Sequence, residues 1–232
     1  MAIIGVGGIG QSRAALPKYF GYSEVICTTP HHGWGFEDRV NKVVESLQQQ
    51  REKSLLVGTS AGAKACIVAA SQLPKKVKGI IAISPAPFTM FPQTLTCSAV
   101  MMKYLWPIYM GELFDVSELD YFRVALRELE VQERRRQIDA RLPISGKECR
   151  DLLFNAGPQV RFKALGRVPI LVVVGEKDRW VRTSTQQRMA EQLLRQGVNC
   201  DLISVKGAGH MPCHTDNDIL QEEIFDWVEN NT

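Results

Sequence analysis

The chain has 232 residues, 45% of them hydrophobic and 23% charged, which suits one large soluble globular domain, with or without an inserted subdomain. Its 28 Lys and Arg against 25 Asp and Glu leave a formal charge of +3, too small by itself to indicate a polyanionic partner, and nucleic acid is not implied. Apolar runs such as 168–174 fall far short of the ~18 residues of a membrane span, and residues 1–9 lack a signal peptide's charged head and apolar stretch. A cytoplasmic protein with no membrane span is therefore expected.

In chain order, residues 2–6 read as a first β-strand, followed by the glycine-rich stretch Gly7-Gly8-Ile9-Gly10-Gln11-Ser12. A second strand is expected at 24–28. Residues 36–50 carry Val40, Val43, Val44 and Leu47 at the helical period. A third strand at 54–57 leads into Gly58-Thr59-Ser60-Ala61-Gly62, and 61–73, rich in small helix-forming residues, reads as the next helix. Residues 77–83 form the fourth strand candidate. The alternation resumes with a strand at 169–174, a helix at 183–196, a strand at 200–205 and a helix at 217–229.

Between 88 and 166 no strand pattern appears. Helical stretches are expected there at 96–110, 117–140 and 146–155, separated by Pro107, Gly111 and Pro143. The charged run 128–136 mixes Glu128, Glu130 and Glu133 with Arg134, Arg135 and Arg136, as a solvated helix face does. The predicted fold is α/β: a mostly parallel central sheet of about six strands flanked by helices on both faces. Residues 1–87 and 167–232 would form this core, and 88–166 a helical insertion.

The six cysteines, Cys27, Cys66, Cys97, Cys149, Cys200 and Cys213, show no C-x-x-C spacing and read as reduced structural thiols. Only His31, His32, His210 and His214 are available as imidazole ligands, and Gly209 and Pro212 oppose a helix that would pair the last two, so no metal site is expected.

The segment that carries chemistry runs from Leu55 to Ala63: an apolar strand, then G-x-S-x-G, then a helix. A serine at so sharp a turn takes a strained backbone conformation that projects its hydroxyl away from the sheet, and the flanking glycines make room for the turn. A serine hydroxyl is a weak nucleophile and needs a base, which in turn needs an orienting acid. Val172-Val173-Val174-Gly175-Glu176-Lys177-Asp178 places a carboxylate after a buried-type strand, at the end where loops of parallel sheets gather. Val205-Lys206-Gly207-Ala208-Gly209-His210 places a histidine in the loop after the last strand. Glu176 and Asp216 are the nearest alternative acids.

On these motifs the chain resembles the α/β-hydrolase superfamily, in its lid-bearing esterase, lactonase and C–C hydrolase-like branch. His32-Gly33-Trp34-Gly35 is similar to a further loop of that family. The resemblance implies Ser60 as nucleophile, His210 as general base and Asp178 as its orienting acid, in the Ser, Asp, His order of that fold. It implies that 88–166 forms a cap over the serine. It also implies an oxyanion hole of backbone amides from Ile9 and Ala61, with Gly8 as the alternative to Ile9.

Two departures stand out. Where the family usually carries a His-Gly pair after its first central strand, this chain has Gly7 in the histidine's place, which bears on how rigidly the loop is held. The two antiparallel strands that commonly come first have no counterpart, leaving the strand at 24–28 as a sheet edge through which a homodimer could pair. Trp34, Tyr104 and Trp106 are candidate substrate-pocket residues. The expected activity is hydrolysis of an ester, lactone or thioester of a small apolar metabolite, with neither metal nor organic cofactor. The alternatives are C–C bond hydrolysis or cofactor-free acyl chemistry on a polyketide or aromatic metabolite, or a non-catalytic small-molecule receptor on the same fold.

Overall fold

The computed structural model describes residues 1–8, 11, 13, 16–27, 35–87, 146–153, 157–178, 180–214 and 217–232. Within them six strands, β1 (Ala2–Val6), β2 (Glu24–Ile26), β3 (Ser54–Thr59), β4 (Val77–Ile83), β5 (Ile170–Gly175) and β6 (Cys200–Val205), form one sheet in the order β2-β1-β3-β4-β5-β6. Every pairing is parallel. Parallel neighbours need long crossovers. These are α1 (Phe36–Gln49) between β2 and β3, α2 (Ala61–Gln72) between β3 and β4, and α5 (Thr183–Arg195) between β5 and β6. The segment between β4 and β5 returns through α3 (Gly146–Leu153) and the single turn α4 (Phe162–Leu165), and α6 (Asp218–Asn231) ends the chain.

Strands flanked on both faces must be apolar on both. Leu55, Val57, Ile81, Ile83, Leu171 and Val173 point to one face and pack with Phe20 and with Leu220, Ile224 and Trp227 of α6. Leu56, Ile80, Ala82, Ile170, Val172 and Val174 point to the other, under α1, α2 and α5. Among the described residues β2 lies at an edge of the sheet, as expected. It spans three residues, shorter than the expected 24–28, and Thr28 lies outside the described residues.

β3 runs two residues past its sequence-based limit, because Gly58 and Thr59 pair with Ala82 and Ile83. Glycine is a poor strand former, so only this tertiary pairing carries the strand up to Ser60. The stretches expected at 96–110 and 117–140 lie outside the described residues. Among the described residues, no helix is long and apolar enough to cross a membrane. Cys66, Cys200 and Cys213 are buried free thiols, and burial pushes Cys200 and Cys213 up to about 12. Such thiols are poorly populated as the reactive thiolate, in keeping with a structural role.

The helix α2 is buried almost all round: every residue from Ala61 to Ser71 is inside, including Lys64. Alanines let it lie close to the sheet. Lys64 Nζ sits 4.8 Å from the ring centroid of Phe36, and loss of solvation pushes its ammonium down to about 7. In the unfolded chain Lys64 keeps its proton up to ~10.4. Between those two values the unfolded state binds the extra proton, so the cost of burying this lysine is full below about 7 and falls as pH rises. Replacing Lys64→Met should therefore shift the melting temperature more favourably at about pH 6.5 than at about pH 9. Thermal melts of both proteins at the two pH values check this, and an equal shift at both would contradict it.

Candidate active site

In the sheet order, β1 lies between β2 and β3, so the chain leaves the end of β1 toward one edge and the end of β3 toward the other. Open parallel sheets bind ligands in the crevice where such connections diverge, beyond the carboxyl ends of the strands. Gly7 and Gly8 follow β1 there, and Ser60 follows β3.

Ser60 has φ 52° and ψ −118°, a region that a residue with a Cβ enters only under strain, typically of about 1–3 kcal/mol. The surroundings hold it there. Its amide donates to the Ile83 carbonyl (2.8 Å), and its carbonyl accepts from the amides of Ala86 (3.1 Å) and Lys64 (3.3 Å). The motif glycines have separate steric reasons. A Cβ on Gly58 would fall 2.6 Å from Ala63 Cα across the turn, and one on Gly62 would fall 2.2 Å from the Val6 carbonyl oxygen. Gly62 thus lets the start of α2 press against the end of β1. Ala61, the first residue of α2, has no intrahelical carbonyl for its amide, which makes it the kind of donor that an anion can use.

Asp178 and His210 meet, with Nδ1 of the imidazole 2.8 Å from Oδ2 of the carboxylate, and both are buried. Because a carboxylate accepts, Nδ1 carries the hydrogen, and in the neutral imidazole the lone pair is then on Nε2. Asp178 is anchored on every side: Oδ1 accepts from the amides of Trp180 (2.8 Å) and Val181 (3.0 Å), and Oδ2 also accepts from Gln186 Nε2 (2.9 Å). Gln186 Nε2 donates to the Val181 carbonyl as well (2.6 Å). Trp180 packs beside the imidazole, its ring centroid 6.3 Å away.

The two loops that carry this pair are themselves joined. The amide of Lys177 donates to the Ala208 carbonyl (2.8 Å) and that of Glu176 to Val205 (3.1 Å), while Glu176 Oε2 accepts from the Gly207 amide (3.3 Å). Glu176 therefore ties the loops together, and it is Asp178 that faces the histidine. The chain passes close over the end of β5, where a Cβ on Gly175 would fall 2.0 Å from the Gly209 carbonyl oxygen. From there Met211 reaches Gln11, whose Nε2 lies 3.6 Å from Met211 Sδ. Gln11 Oε1 accepts from Thr59 Oγ1 (2.5 Å), beside Ser60, and from the Gly8 amide (2.6 Å). One side chain thus joins the neighbours of Ser60 and His210.

Of the expected oxyanion donors, Ile9 lies outside the described residues, and its alternative, the Gly8 amide, is engaged by Gln11. Trp34, Tyr104, Trp106, His31, His32 and Asp216 also lie outside them. Several polar residues that hold the site were not singled out from the sequence: Gln11, Arg39, Glu148 and Gln186. Arg39 was detectable, since Phe36, Arg39, Val40, Val43 and Leu47 share one helical stripe. The others are set by contacts that no periodicity announces.

An open parallel sheet with a strained serine at the turn from a central strand, and a buried aspartate–histidine pair at the same end, defines an α/β protein of the hydrolase class. The chain belongs to the alpha/beta hydrolase family, whose sequence profile matches residues 10–220. It is similar in structure to the esterase RhEst1 from Rhodococcus sp. ECU1013, at 16% identity and a TM-score of 0.75, covering 100% of this chain and 91% of that one. An E-2-(acetamidomethylene)succinate hydrolase is similar at 17% identity and a TM-score of 0.69, covering 98% and 91%. The monoacylglycerol lipase of Paleococcus ferrophilus is similar at 17% identity and a TM-score of 0.66, covering 99% and 94%. No curated protein matches the chain by sequence.

The close passage at Gly175 supplies a test of this geometry. Gly175→Ala should push the 208–210 loop away from Asp178, destabilising the fold by about 1–3 kcal/mol and lowering any hydrolytic activity far more than stability alone explains. Melting curves and ester turnover on the same preparation check this. Normal turnover in the variant would mean that the loop position does not matter to the chemistry.

Proposed function

We propose that the protein is a serine hydrolase that cleaves an ester, lactone or thioester of a small apolar metabolite through an acyl-enzyme on Ser60. The buried Asp178–His210 pair supports this reading most directly, because it prepares an imidazole with a basic Nε2 at the sheet end that carries Ser60. The serine's positive φ supports it too, since strain of this kind clusters at functional turns. Among the structural neighbours are an esterase and a lipase.

In this mechanism Ser60 Oγ attacks the substrate carbonyl carbon while its proton passes to Nε2 of His210. The carbonyl oxygen becomes an oxyanion, held by the amides of Ala61 and Ile9. The tetrahedral intermediate collapses, and His210 gives its proton to the departing alkoxide or thiolate. Water then attacks the acyl carbon and gives a proton to His210, which returns it to the departing Ser60 Oγ as the second tetrahedral intermediate collapses to the free acid. Asp178 holds the imidazole in place throughout and stabilises its charged form. The reaction as written uses no metal or organic cofactor. Residues 88–166 serve as the cap, and Trp34, Tyr104 and Trp106 line the pocket for the remote part of the substrate, where binding energy selects among substrates.

A fluorophosphonate probe should label Ser60 alone, and Ser60→Ala should remove both labelling and turnover of p-nitrophenyl acetate. Labelling of another serine, with turnover intact in the variant, would defeat the proposal. Asp178→Asn should leave the fold intact and lower kcat by about 10⁴, as loss of the correct tautomer does in comparable triads. An effect below about tenfold would assign the acid elsewhere. Product analysis on candidate metabolites separates ester from carbon–carbon cleavage.

A further inference from the structure

Gly7 and Gly8 leave unanswered what holds the loop after β1, since neither has a side chain. The structure puts Arg39 there. It sits in the first turn of α1 and is 0% exposed, as is its partner Glu148. Its Nε donates to Glu148 Oε1 (2.6 Å), Nη1 to the Gly7 carbonyl (2.5 Å) and Nη2 to the Gly8 carbonyl (3.5 Å). On the opposite side, the Gly8 amide donates to Gln11 Oε1 (2.6 Å). The peptide between Gly7 and Gly8 is therefore gripped at both ends, its carbonyl by a guanidinium and its N–H by a carboxamide. A trans peptide carries C=O and N–H antiparallel, so fixing one fixes the other.

From this we infer that Arg39 is the positioning residue of the oxyanion loop, and that Glu148 makes the loop's geometry depend on the docking of α3. The inference rests on the serine-hydrolase reading above. Arginine suits the task because its planar fork serves a carboxylate and two carbonyls at once, which an ammonium on a flexible stem does not. Glu148 belongs to the first described helix after residues 88–145, and α3 makes two further polar contacts with the start of α1. Asp151 Oδ2 accepts from the Phe36 amide (3.1 Å), and Lys147 Nζ lies 3.6 Å from Asp38 Oδ2. This helix, in the last part of the proposed cap, is thus bolted to α1 at the residue that grips the loop. A shift of α3 moves Glu148, and through Arg39 it moves the two glycine carbonyls.

Preorganised donors act on the transition state more than on bound substrate. Loosening the loop should therefore appear in kcat and leave KM nearly alone. Three variants test this: Arg39→Lys, which keeps the charge but loses the fork; Glu148→Gln; and the double variant Arg39→Met with Glu148→Met, which removes both members of the buried pair together. With p-nitrophenyl acetate, kcat should fall about tenfold to a hundredfold in the lysine and double variants, with KM changed less than about threefold. A trifluoromethyl ketone inhibitor, whose serine adduct carries an oxyanion, should lose affinity in proportion to the loss of kcat/KM. A purely structural role would not produce that proportionality.

The inference is overturned if folded variants keep wild-type kcat, or if KM and inhibition by the simple carboxylate product worsen as much as the ketone's affinity does. Should the double variant fail to fold, Arg39→Lys carries the test, because it leaves Glu148 opposite a positive charge. Failure of the underlying reading looks different: Ser60→Ala would then retain turnover, whatever the Arg39 variants do.

Discussion

The close approach of α2 to the ends of β1 and β3 is the constraint on which the rest of the site depends. Gly62 lets the helix start against the Val6 and Gly7 carbonyls, Gly58 clears Ala63, and the serine between them is left with no relaxed conformation. Both glycines are consequences of distance, since any Cβ would occupy space that backbone already fills. Once α2 is seated there, its amide-bearing start, the serine and the loop after β1 share one small region. Everything else in the site is arranged around that region.

The acid and the base come from much later in the chain, and their placement has a different cause. Loops after β5 and β6 are tied by backbone hydrogen bonds and by Glu176, so Asp178 and His210 form a unit that could be rigid even without Ser60 nearby. Gln11 is what connects this unit to the serine's side, through Thr59 at one end and Met211 at the other. A charged residue there would impose a field on the site, whereas a carboxamide supplies both donor and acceptor and stays neutral.

The sheet was legible in the sequence because its central strands β3, β4 and β5 are buried almost throughout and so read as apolar runs, and the strands expected at 2–6, 77–83 and 200–205 match the observed ones end to end. The serine turn was legible because sterics there permit few residue types. Asp178 and His210, whose side chains the structure pairs, could be singled out by their place after strands. Arg39 and Glu148 were not, since a salt bridge spanning 109 positions of sequence leaves no local mark on either. Lys64 lies in a helix of alanines, and a lysine there reads as a solvated end until the tight packing on every side is known. The end of β3 was misjudged because Gly58 belongs to the strand by pairing and to the turn by composition.

The pairing of β4 with β5 has a further consequence. Ile80 sits beside Ile170, so the sheet closes over a long intervening stretch of chain as if it were a single connection. The entropy of closing such a loop grows only with the logarithm of its length, so that a doubling costs about 0.6 kcal/mol. The sheet is thus nearly indifferent to how much chain lies between these two strands. Selection can lengthen, shorten or replace that stretch while the strands, the serine turn and the Asp178–His210 unit stay as they are. The restriction falls at its return, where α3 must present a carboxylate to Arg39 and a second one to the start of α1. The fold thereby behaves as a socket with a fixed keyway: many inserts can be accepted, provided each ends in the same short helix.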